Sequence, residues 1–250
     1  MKFSSKISLH PLTALLFFVG FLTGYFRYIV YIFLIVLVHE LGHVFFAKIF
    51  KRRVVSIELL PFGGLTKMEG RISEDIFEDL LIAVGGIFFQ TVLGYGLIMM
   101  NKMGILDARI YTFLNSYNIF IIGFNLLPAC PLDGYKIVKL VAELFIPYRL
   151  ASFMTCIVSF IVLGIAFIMN PTIFLDNAFI LIFLLFSIVD EMKLQKYARA
   201  RFYVERMNYD FYYSRLDVSN ISMMYKNRVN YIDGVHEKEC LKNHFTKEYH

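Results

Sequence analysis

Cysteine is scarce in this chain of 250 residues, and the few that occur exclude two classes of site. Cys130, Cys156 and Cys240 are widely separated and match neither a zinc-binding spacing nor a disulfide framework. A signal-peptide cleavage site is also lacking, so we expect the apolar segment after Lys2 and Lys6 to be retained as a first membrane span. Nothing in the cysteine pattern therefore points to an oxidising compartment.

Charged residues are few as well, at 18% of the chain, whereas hydrophobic residues make up 58% and the mean hydropathy is +0.61. This composition predicts an all-α polytopic membrane protein. We expect six transmembrane helices, from apolar segments of about 15–25 residues that match the thickness of the hydrocarbon core. They run near 10–26, 28–50, 76–100, 111–128, 149–169 and 173–189.

The positive charges predict the orientation of these spans. With both termini in the cytosol, 22 of the 25 Lys and Arg residues lie on the cytosolic side and 3 lie outside. Such an asymmetry is typical of the positive-inside rule. The net charge of +5 is then a topology signal, and we expect the lipid bilayer and no nucleic acid as a partner.

We divide the chain into a six-span domain, residues 1–192, and a cytosolic C-terminal tail, residues 193–250. The tail is polar and begins with aromatic and basic residues, so we expect it to extend the last helix and rest at the membrane interface. A nucleic-acid patch is the alternative. His236, His244 and His250 are irregularly spaced, and we interpret them as solvated residues.

The most informative motif is His39-Glu40-Leu41-Gly42-His43, within an apolar run. On a helix, His39 and His43 share one face, where both imidazoles can bind a single metal ion. Glu40 is close enough to act on a water held by that ion. Ionisable side chains in a hydrocarbon-length helix are costly, which favours function over two histidines bonded to backbone or to each other. The motif predicts a zinc protease with its active site in the membrane.

Residues 51–75 interrupt the hydrophobicity. Val54 to Leu60 favour extended structure and Pro61-Phe62-Gly63-Gly64 is a turn signal, so we expect a short β-hairpin at the cytosolic face. It is either an ordinary surface hairpin or a re-entrant hairpin that lines the active site, because non-helical backbone at membrane depth must line a cavity or be covered. In the third span, Gly85-Gly86 predicts close helix packing and Gln90 a hydrogen bond between helices.

A second cluster, Asn125 to Gly134, stands at the end of the fourth span. Pro128 and Pro131 cannot continue a helix, so the chain must become extended there, which a membrane tolerates only around a polar cavity. Asp133 then lies at a depth compatible with the two histidines. Two His and one carboxylate with an open fourth position form a catalytic zinc site. A helix cap is the alternative for Asp133, and Cys130 is interpreted as a packing thiol that could compete for zinc.

The two motifs resemble those of the site-2 protease family of intramembrane zinc metalloproteases, and within it the stage IV sporulation protein FB group. The resemblance covers residues 8–207 and also rests on three further segments, His10-Pro11-Leu12, Gly20–Gly24 and Leu59–Gly64. It implies that His39, His43 and Asp133 hold one zinc ion per chain and that Glu40 is the general base. It also implies that Asn125 helps to hold an unwound substrate. We expect Pro128, Gly63 and Gly64 to belong to the same substrate-binding region.

The resemblance further implies a substrate and a location. Relatives in the sporulation group act on a membrane-associated precursor of the late mother-cell sigma factor and are held inactive by membrane partner proteins. We therefore expect a bacterial integral membrane protein, in the mother-cell membrane around the forespore. An anti-sigma factor or a signal-peptide remnant is the alternative substrate. A non-catalytic metal-binding transporter or receptor is the alternative function, but such a protein has no need of Glu40.

Two positions depart from the family pattern without removing a ligand. Gly85-Gly86 stands where Gly-Pro is common, and Tyr135 stands where a second glycine often follows Gly134.

Relatives in bacilli also carry a C-terminal cystathionine-β-synthase-type module, a βαββα unit. The tail has too few residues for that unit in full, so we expect no regulation by nucleotides through it.

Overall fold

The computed structural model describes residues 6–60, 63–70, 72–169 and 178–248. Three predicted features lie partly or wholly outside the described residues: the turn at Pro61-Phe62, the beginning of the sixth span, and His250. The chain divides into two compact units. The first unit comprises residues 1–70 and 81–125, and the second comprises residues 71–80 and 126–250.

Helices dominate the described chain. Their bounds are α1 (Pro11–Thr23), α2 (Phe26–Ile49), α3 (Ile76–Lys102), α4 (Ala108–Leu126), α5 (Asp133–Phe145), α6 (Tyr148–Met169), α7 (Ala178–Asn208) and α8 (Glu237–Glu248). Among the described residues, α2, α3 and α6 are long and apolar enough to cross a membrane. The protein is on this evidence an integral membrane protein. The six-span arrangement stays a prediction, although α1, α4 and α7 overlap the other three predicted segments.

The first two helices form a tight antiparallel pair in the first unit. Helix α1 begins with Pro11 in its first turn, and the Nδ1 atom of His10 accepts a hydrogen bond from the Leu12 amide at 3.3 Å. It ends at Gly24, whose φ of +78° is the left-handed conformation that glycine adopts most readily. Phe17 and Phe33 pack between the two helices with ring centroids 4.8 Å apart.

The predicted hairpin is present but belongs to a three-stranded sheet. Strands β2 (Arg53–Leu60) and β3 (Gly63–Glu69) pair antiparallel, and β1 (Lys6–Leu9) pairs parallel with the other edge of β2. The sequence did not predict β1, because four residues are too few to show an alternating pattern and their partner is about fifty residues away. Strand β2 is therefore central, and β3 lies at an edge of this sheet in the described part of the chain.

The second unit contains a folded C-terminal tail. Helix α7 continues to Asn208, and a sheet of β4 (Arg215–Val218), β5 (Val229–Ile232) and β6 (Val235–His236) follows, with a 3₁₀ turn at Ile221–Met223. A hydrophobic cluster of the second unit packs the tail against α6 and α7. Its buried members are Tyr148, Phe202, Met224, Ile232 and Leu241. The order of elements is strand, 3₁₀ turn, strand, strand and helix, which the polar composition of the tail did not predict.

Candidate active site

Helix α2 brings the metal-ligand motif together on a buried face of the first unit. His39, Glu40 and His43 are 4%, 5% and 5% exposed. The Nε2 atoms of the two histidines lie 3.1 Å apart, and the ligand atoms of the three residues all lie within 4.8 Å of one another. This follows from the helical period, since residues i and i+4 point to the same side of the helix.

The hydrogen bonds on the opposite ring nitrogens determine the chemistry of this pair. His43 Nδ1 lies 2.8 Å from the carbonyl oxygen of Ile82, which can only accept, so Nδ1 carries the hydrogen. His39 Nδ1 lies 3.1 Å from Oε1 of Gln90, which imposes the same tautomer. Each neutral ring then directs the lone pair of Nε2 towards the other ring. Two lone pairs this close repel each other unless a cation shares them, so the donor set fits a zinc ion.

Helix α3 can approach these rings because it presents glycine to them. Gly42, in the centre of the motif, packs backbone to backbone against Gly85, where an added Cβ would lie 2.7 Å from the Gly42 carbonyl oxygen. An added Cβ at Gly86 would lie 2.5 Å from the His39 ring. The predicted close packing at Gly85-Gly86 is therefore present, and its use is to bring the Ile82 carbonyl and Gln90 to the histidines.

Strand β3 contacts the general-base candidate. The hydroxyl of Thr66 donates a hydrogen bond to Oε2 of Glu40 at 2.5 Å. Gly64, on the same face of β3, lies against the Glu40 side chain so closely that a Cβ there would collide with its Cγ. The hairpin thus packs on Glu40, although a re-entrant position in a membrane stays a prediction.

Thr66 is a site residue that the sequence reasoning missed. The period of two along a strand places Thr66 on the same face as Gly64, which was a candidate site residue. That periodicity was the signal from which Thr66 could have been found. Gln90 was predicted to join two helices, and the structure shows that its partner is His39.

Asp133 belongs to the second unit, as the first residue of α5, and it is 3% exposed. Leu132 is the N-cap of this helix, and Asp133 follows it in the first turn. One carboxylate oxygen of Asp133 accepts a hydrogen bond from Lys136 at 2.9 Å. The predicted helix break is present, since α4 ends at Leu126 and α5 begins at Asp133, seven residues later. Asp133 as the third ligand stays a prediction.

Two neighbours fix the start of α5. Gly134 packs against the carbonyl oxygens of Leu126 and Leu127 so closely that a Cβ would collide with both. The hydroxyl of Tyr135, which departs from the family pattern, donates to Glu191 of α7 at 3.2 Å and lies 3.6 Å from Cys156 of α6. Tyr135 therefore ties α5 to two other helices of its unit.

The other residues predicted at the site lie in α4, in the segment that follows it and in β3. Asn125 donates from Nδ2 to the carbonyl of Ile121, one turn earlier in α4, at 3.0 Å. The carbonyl of Pro128 accepts from Ser159 at 3.1 Å, and Gly63 opens strand β3. Cys130 is buried with its thiol 3.7 Å from the Ser187 carbonyl, as expected for a packing thiol. A substrate-binding role for Asn125, Pro128, Gly63 and Gly64 stays a prediction.

Comparisons with known proteins agree with this geometry. Residues 27–107 match the model of peptidase family M50. Stage IV sporulation protein FB of Bacillus subtilis is 28% identical over 80% of this chain and 71% of its own length. Zinc metalloprotease MJ0392 of Methanocaldococcus jannaschii is 32% identical over 43% of this chain and 32% of its own. A putative zinc metalloprotease of Synechocystis, sll0528, is 33% identical over 42% and 28%.

A solved structure supports the fold. The site-2 protease from Methanocaldococcus jannaschii superposes with a TM-score of 0.58 over 76% of this chain and 92% of its own, at 24% identity. The matches to peptidase family M50 and to stage IV sporulation protein FB confirm the resemblance that the two sequence motifs predict, and the solved structure supports the fold. The chain is similar to peptidase family M50 over residues 27–107, and with its zinc-metalloprotease relatives this similarity identifies it as a zinc metalloprotease.

Proposed function

We propose that this protein hydrolyses a peptide bond in or near the membrane segment of a protein substrate, with His39, His43 and Asp133 as zinc ligands and Glu40 as the general base. The observation that carries the proposal is the pair of buried imidazoles with Nε2 atoms 3.1 Å apart and Glu40 beside them. A metal-binding receptor or transporter needs only the ligands. A carboxylate held at the ligands by Thr66 favours hydrolysis.

The residues divide the chemistry between them. Zinc, when bound, supplies the Lewis-acid chemistry that acidifies water and polarises a peptide carbonyl. Glu40 takes the proton of the attacking water on Oε1, because Oε2 accepts the Thr66 hydroxyl. The water oxygen bonds to the peptide carbon, the C–N bond breaks, and Glu40 returns the proton to the leaving amine. His39, Glu40 and His43 are buried, and this burial keeps bulk water from the reacting groups.

Edge strand β3 is the proposed site for an unwound substrate. From Ser56 to Leu59, strand β2 pairs with β1 on one side and with β3 on the other, so this part of β2 cannot pair with a further strand. The outer edge of β3 is the part of this hairpin that a substrate strand can pair with. A substrate strand paired with β3 would lie beside the strand that contacts Glu40, since Thr66 and Gly64 of β3 lie against that side chain.

The proposed substrate is a membrane-associated precursor of a sporulation sigma factor. Support comes from the similarity to stage IV sporulation protein FB over 80% of this chain. An anti-sigma factor or a signal-peptide remnant is the alternative. On this proposal the protein lies in the mother-cell membrane around the forespore, and membrane partner proteins hold it inactive.

Co-expression with the candidate precursor tests the activity. We expect the wild type to cleave the precursor and Glu40→Gln to leave it intact while retaining zinc, because that change removes the base but no ligand. Glu239→Gln, an exposed carboxylate in α8, is the matched control and should cleave like the wild type. Cleavage by Glu40→Gln at the wild-type rate would contradict the proposal.

The ligand set requires its own measurement. We expect Asp133→Ala and the double variant His39→Ala/His43→Ala to lose bound zinc, whereas Asp190→Ala, at an exposed position in α7, should keep it. Full zinc retention by the histidine double variant would sink the site. Zinc retention by Asp133→Ala alone would remove Asp133 from the ligand set.

We propose six spans with both termini in the cytosol, on the basis of the 22-to-3 distribution of positive charges. Single cysteines at Glu69 and Asp107, both exposed, test this in a background without the three native cysteines. A membrane-impermeant thiol reagent should label the two positions from opposite sides of the membrane. Labelling of both from one side would overturn the arrangement.

A further inference from the structure

Gln90 is a polar side chain with no exposure to solvent in an apolar helix. One end of its amide, Oε1, faces Nδ1 of His39 at 3.1 Å. The other end, Nε2, has no hydrogen-bond partner in the described part of the chain. A buried amide with one unsatisfied end costs about 1–3 kcal/mol, so as a simple link between two helices Gln90 is a poor choice compared with an apolar residue.

Two neighbours of this region make different contacts, Asn118 with the backbone of Gln90 and Gly86 with the ring of His39. Asn118 of α4, itself 1% exposed, donates from Nδ2 to the backbone carbonyl of Gln90 at 3.0 Å. Gly86, one turn earlier on the same face of α3, leaves room for the His39 ring. The His39 ring therefore packs against Gly86 and is hydrogen-bonded to the Gln90 amide.

The direction of this hydrogen bond decides whether His39 can bind metal. An oxygen at Nδ1 requires the hydrogen on Nδ1 and leaves the lone pair on Nε2, facing His43. The opposite orientation of the amide would place a donor at Nδ1 and move the hydrogen to Nε2, which blocks coordination. The same role at His43 is filled by the Ile82 carbonyl, which no side-chain substitution can remove.

We propose that Gln90 is a positioning residue of the metal centre: its Oε1 atom fixes the ring orientation and tautomer of His39 so that Nε2 points to the zinc ion. This inference rests on the proposed ligand role of His39. Partners of this kind orient metal-binding imidazoles and raise their basicity, and their removal typically lowers metal affinity about 10- to 100-fold.

Zinc affinity of the purified protein in detergent, measured by competition with a chelating indicator, tests the proposal. We expect Gln90→Met, which keeps the length of the side chain but has no strong acceptor, to weaken zinc binding about 10- to 100-fold. Gln90→Glu keeps an acceptor at Nδ1 and should restore an affinity near that of the wild type. The absorption spectrum of the Co²⁺-loaded protein should change in Gln90→Met and not in Gln90→Glu.

Asn118→Leu is the matched control for a purely structural role. It removes a buried amide whose bond is to the backbone of α3 and not to the Gln90 side chain, so it should lower thermal stability and leave zinc affinity unchanged. If Gln90→Met behaves in the same way, with wild-type zinc affinity and Co²⁺ spectrum, Gln90 only packs helices and the proposal is overturned. If Gln90→Met does not fold, folded Gln90→Glu decides alone, because loss of its zinc affinity overturns the proposal and its retention supports it.

His39→Ala in the same assay separates this inference from the proposed zinc site. Loss of zinc by His39→Ala with no effect of Gln90→Met sinks the role of Gln90 and leaves the site intact. Retention of zinc by His39→Ala contradicts the site itself, whatever the Gln90 variants do.

Discussion

The hydrogen bond from Thr66 to Glu40 provides a sharp test of how the general base is held. Glu40 is 5% exposed, and the Thr66 hydroxyl lies 2.5 Å from its Oε2 atom. Thr66→Val keeps the size and β-branching of the side chain and removes only the donor. The carboxylate then loses a partner in a buried site and gains freedom to rotate away from the ligands.

The expected size of the effect follows from the charge on Glu40. A hydrogen bond to a charged group contributes about 1.5–3 kcal/mol. At about 1.4 kcal/mol per tenfold change in rate, its loss corresponds to a decrease in kcat of about 10- to 100-fold. Zinc content and KM should change little, because the Thr66 hydroxyl bonds to Glu40, which is not a proposed ligand, and the backbone edge of β3 is unaltered. Thr66→Ser restores the donor and should recover most of the activity.

Cleavage of the candidate precursor by purified protein in proteoliposomes, at several substrate concentrations, separates kcat from KM. Thr91→Val is the matched control, since the Thr91 hydroxyl bonds only to the Ile87 carbonyl of its own helix. The reasoning fails if Thr66→Val keeps wild-type kcat, or if Thr66→Ser is as impaired as Thr66→Val. A parallel loss of zinc in Thr66→Val would show that the strand supports the whole site and not the base alone.

Three further predictions concern other contacts. Gly64→Ala should displace the Glu40 carboxylate and lower kcat with zinc retained. The control Gly96→Ala, where an added Cβ meets nothing within 4 Å, should be neutral, and equal activities of the two variants would contradict the packing. Gly134→Ala should force the start of α5 away from two backbone carbonyls, move Asp133 and so weaken zinc binding. Gly123→Ala, also in open space, is the control. Unchanged zinc affinity in Gly134→Ala would count against Asp133 as a ligand. Glu237→Ala should leave buried Arg206 without its ion-pair partner and destabilise the tail by about 3–5 kcal/mol, measured by denaturant unfolding or limited proteolysis, and a change below about 1 kcal/mol would refute this reasoning.

Local sequence patterns predicted the parts of the site that a single element determines. The four-residue spacing of His39 and His43 on an apolar helix implied a shared face, and their Nε2 atoms are indeed neighbours. The prolines before Asp133 implied a helix break, and α4 ends before them. These inferences depend only on helical period and on the missing amide of proline, so one sequence was sufficient.

Contacts between distant elements were not predictable in the same way. Strand β1 and the sheet of the tail depend on pairings that the alternation of four residues cannot reveal. The partners of the two imidazoles, a backbone carbonyl at Ile82 and an amide at Gln90, depend on how α3 rotates against α2. Gly85-Gly86 indicated that the two helices approach closely, but not which face of α3 would meet the histidines.

The two neighbours of the site have different roles because they contact different residues. Helix α3 bonds to the two histidines, and strand β3 bonds to Glu40. Helix α3 is joined to α2 by glycine packing, so it is rigid with respect to the ligands and suits the task of fixing the two rings. Strand β3 contacts Glu40 through Thr66 and Gly64, and its outer edge is the proposed place for substrate. Occupation of that edge would therefore alter the position of the base without disturbing the metal, which is why we expect β3 variants to change kcat and α3 variants to change zinc affinity.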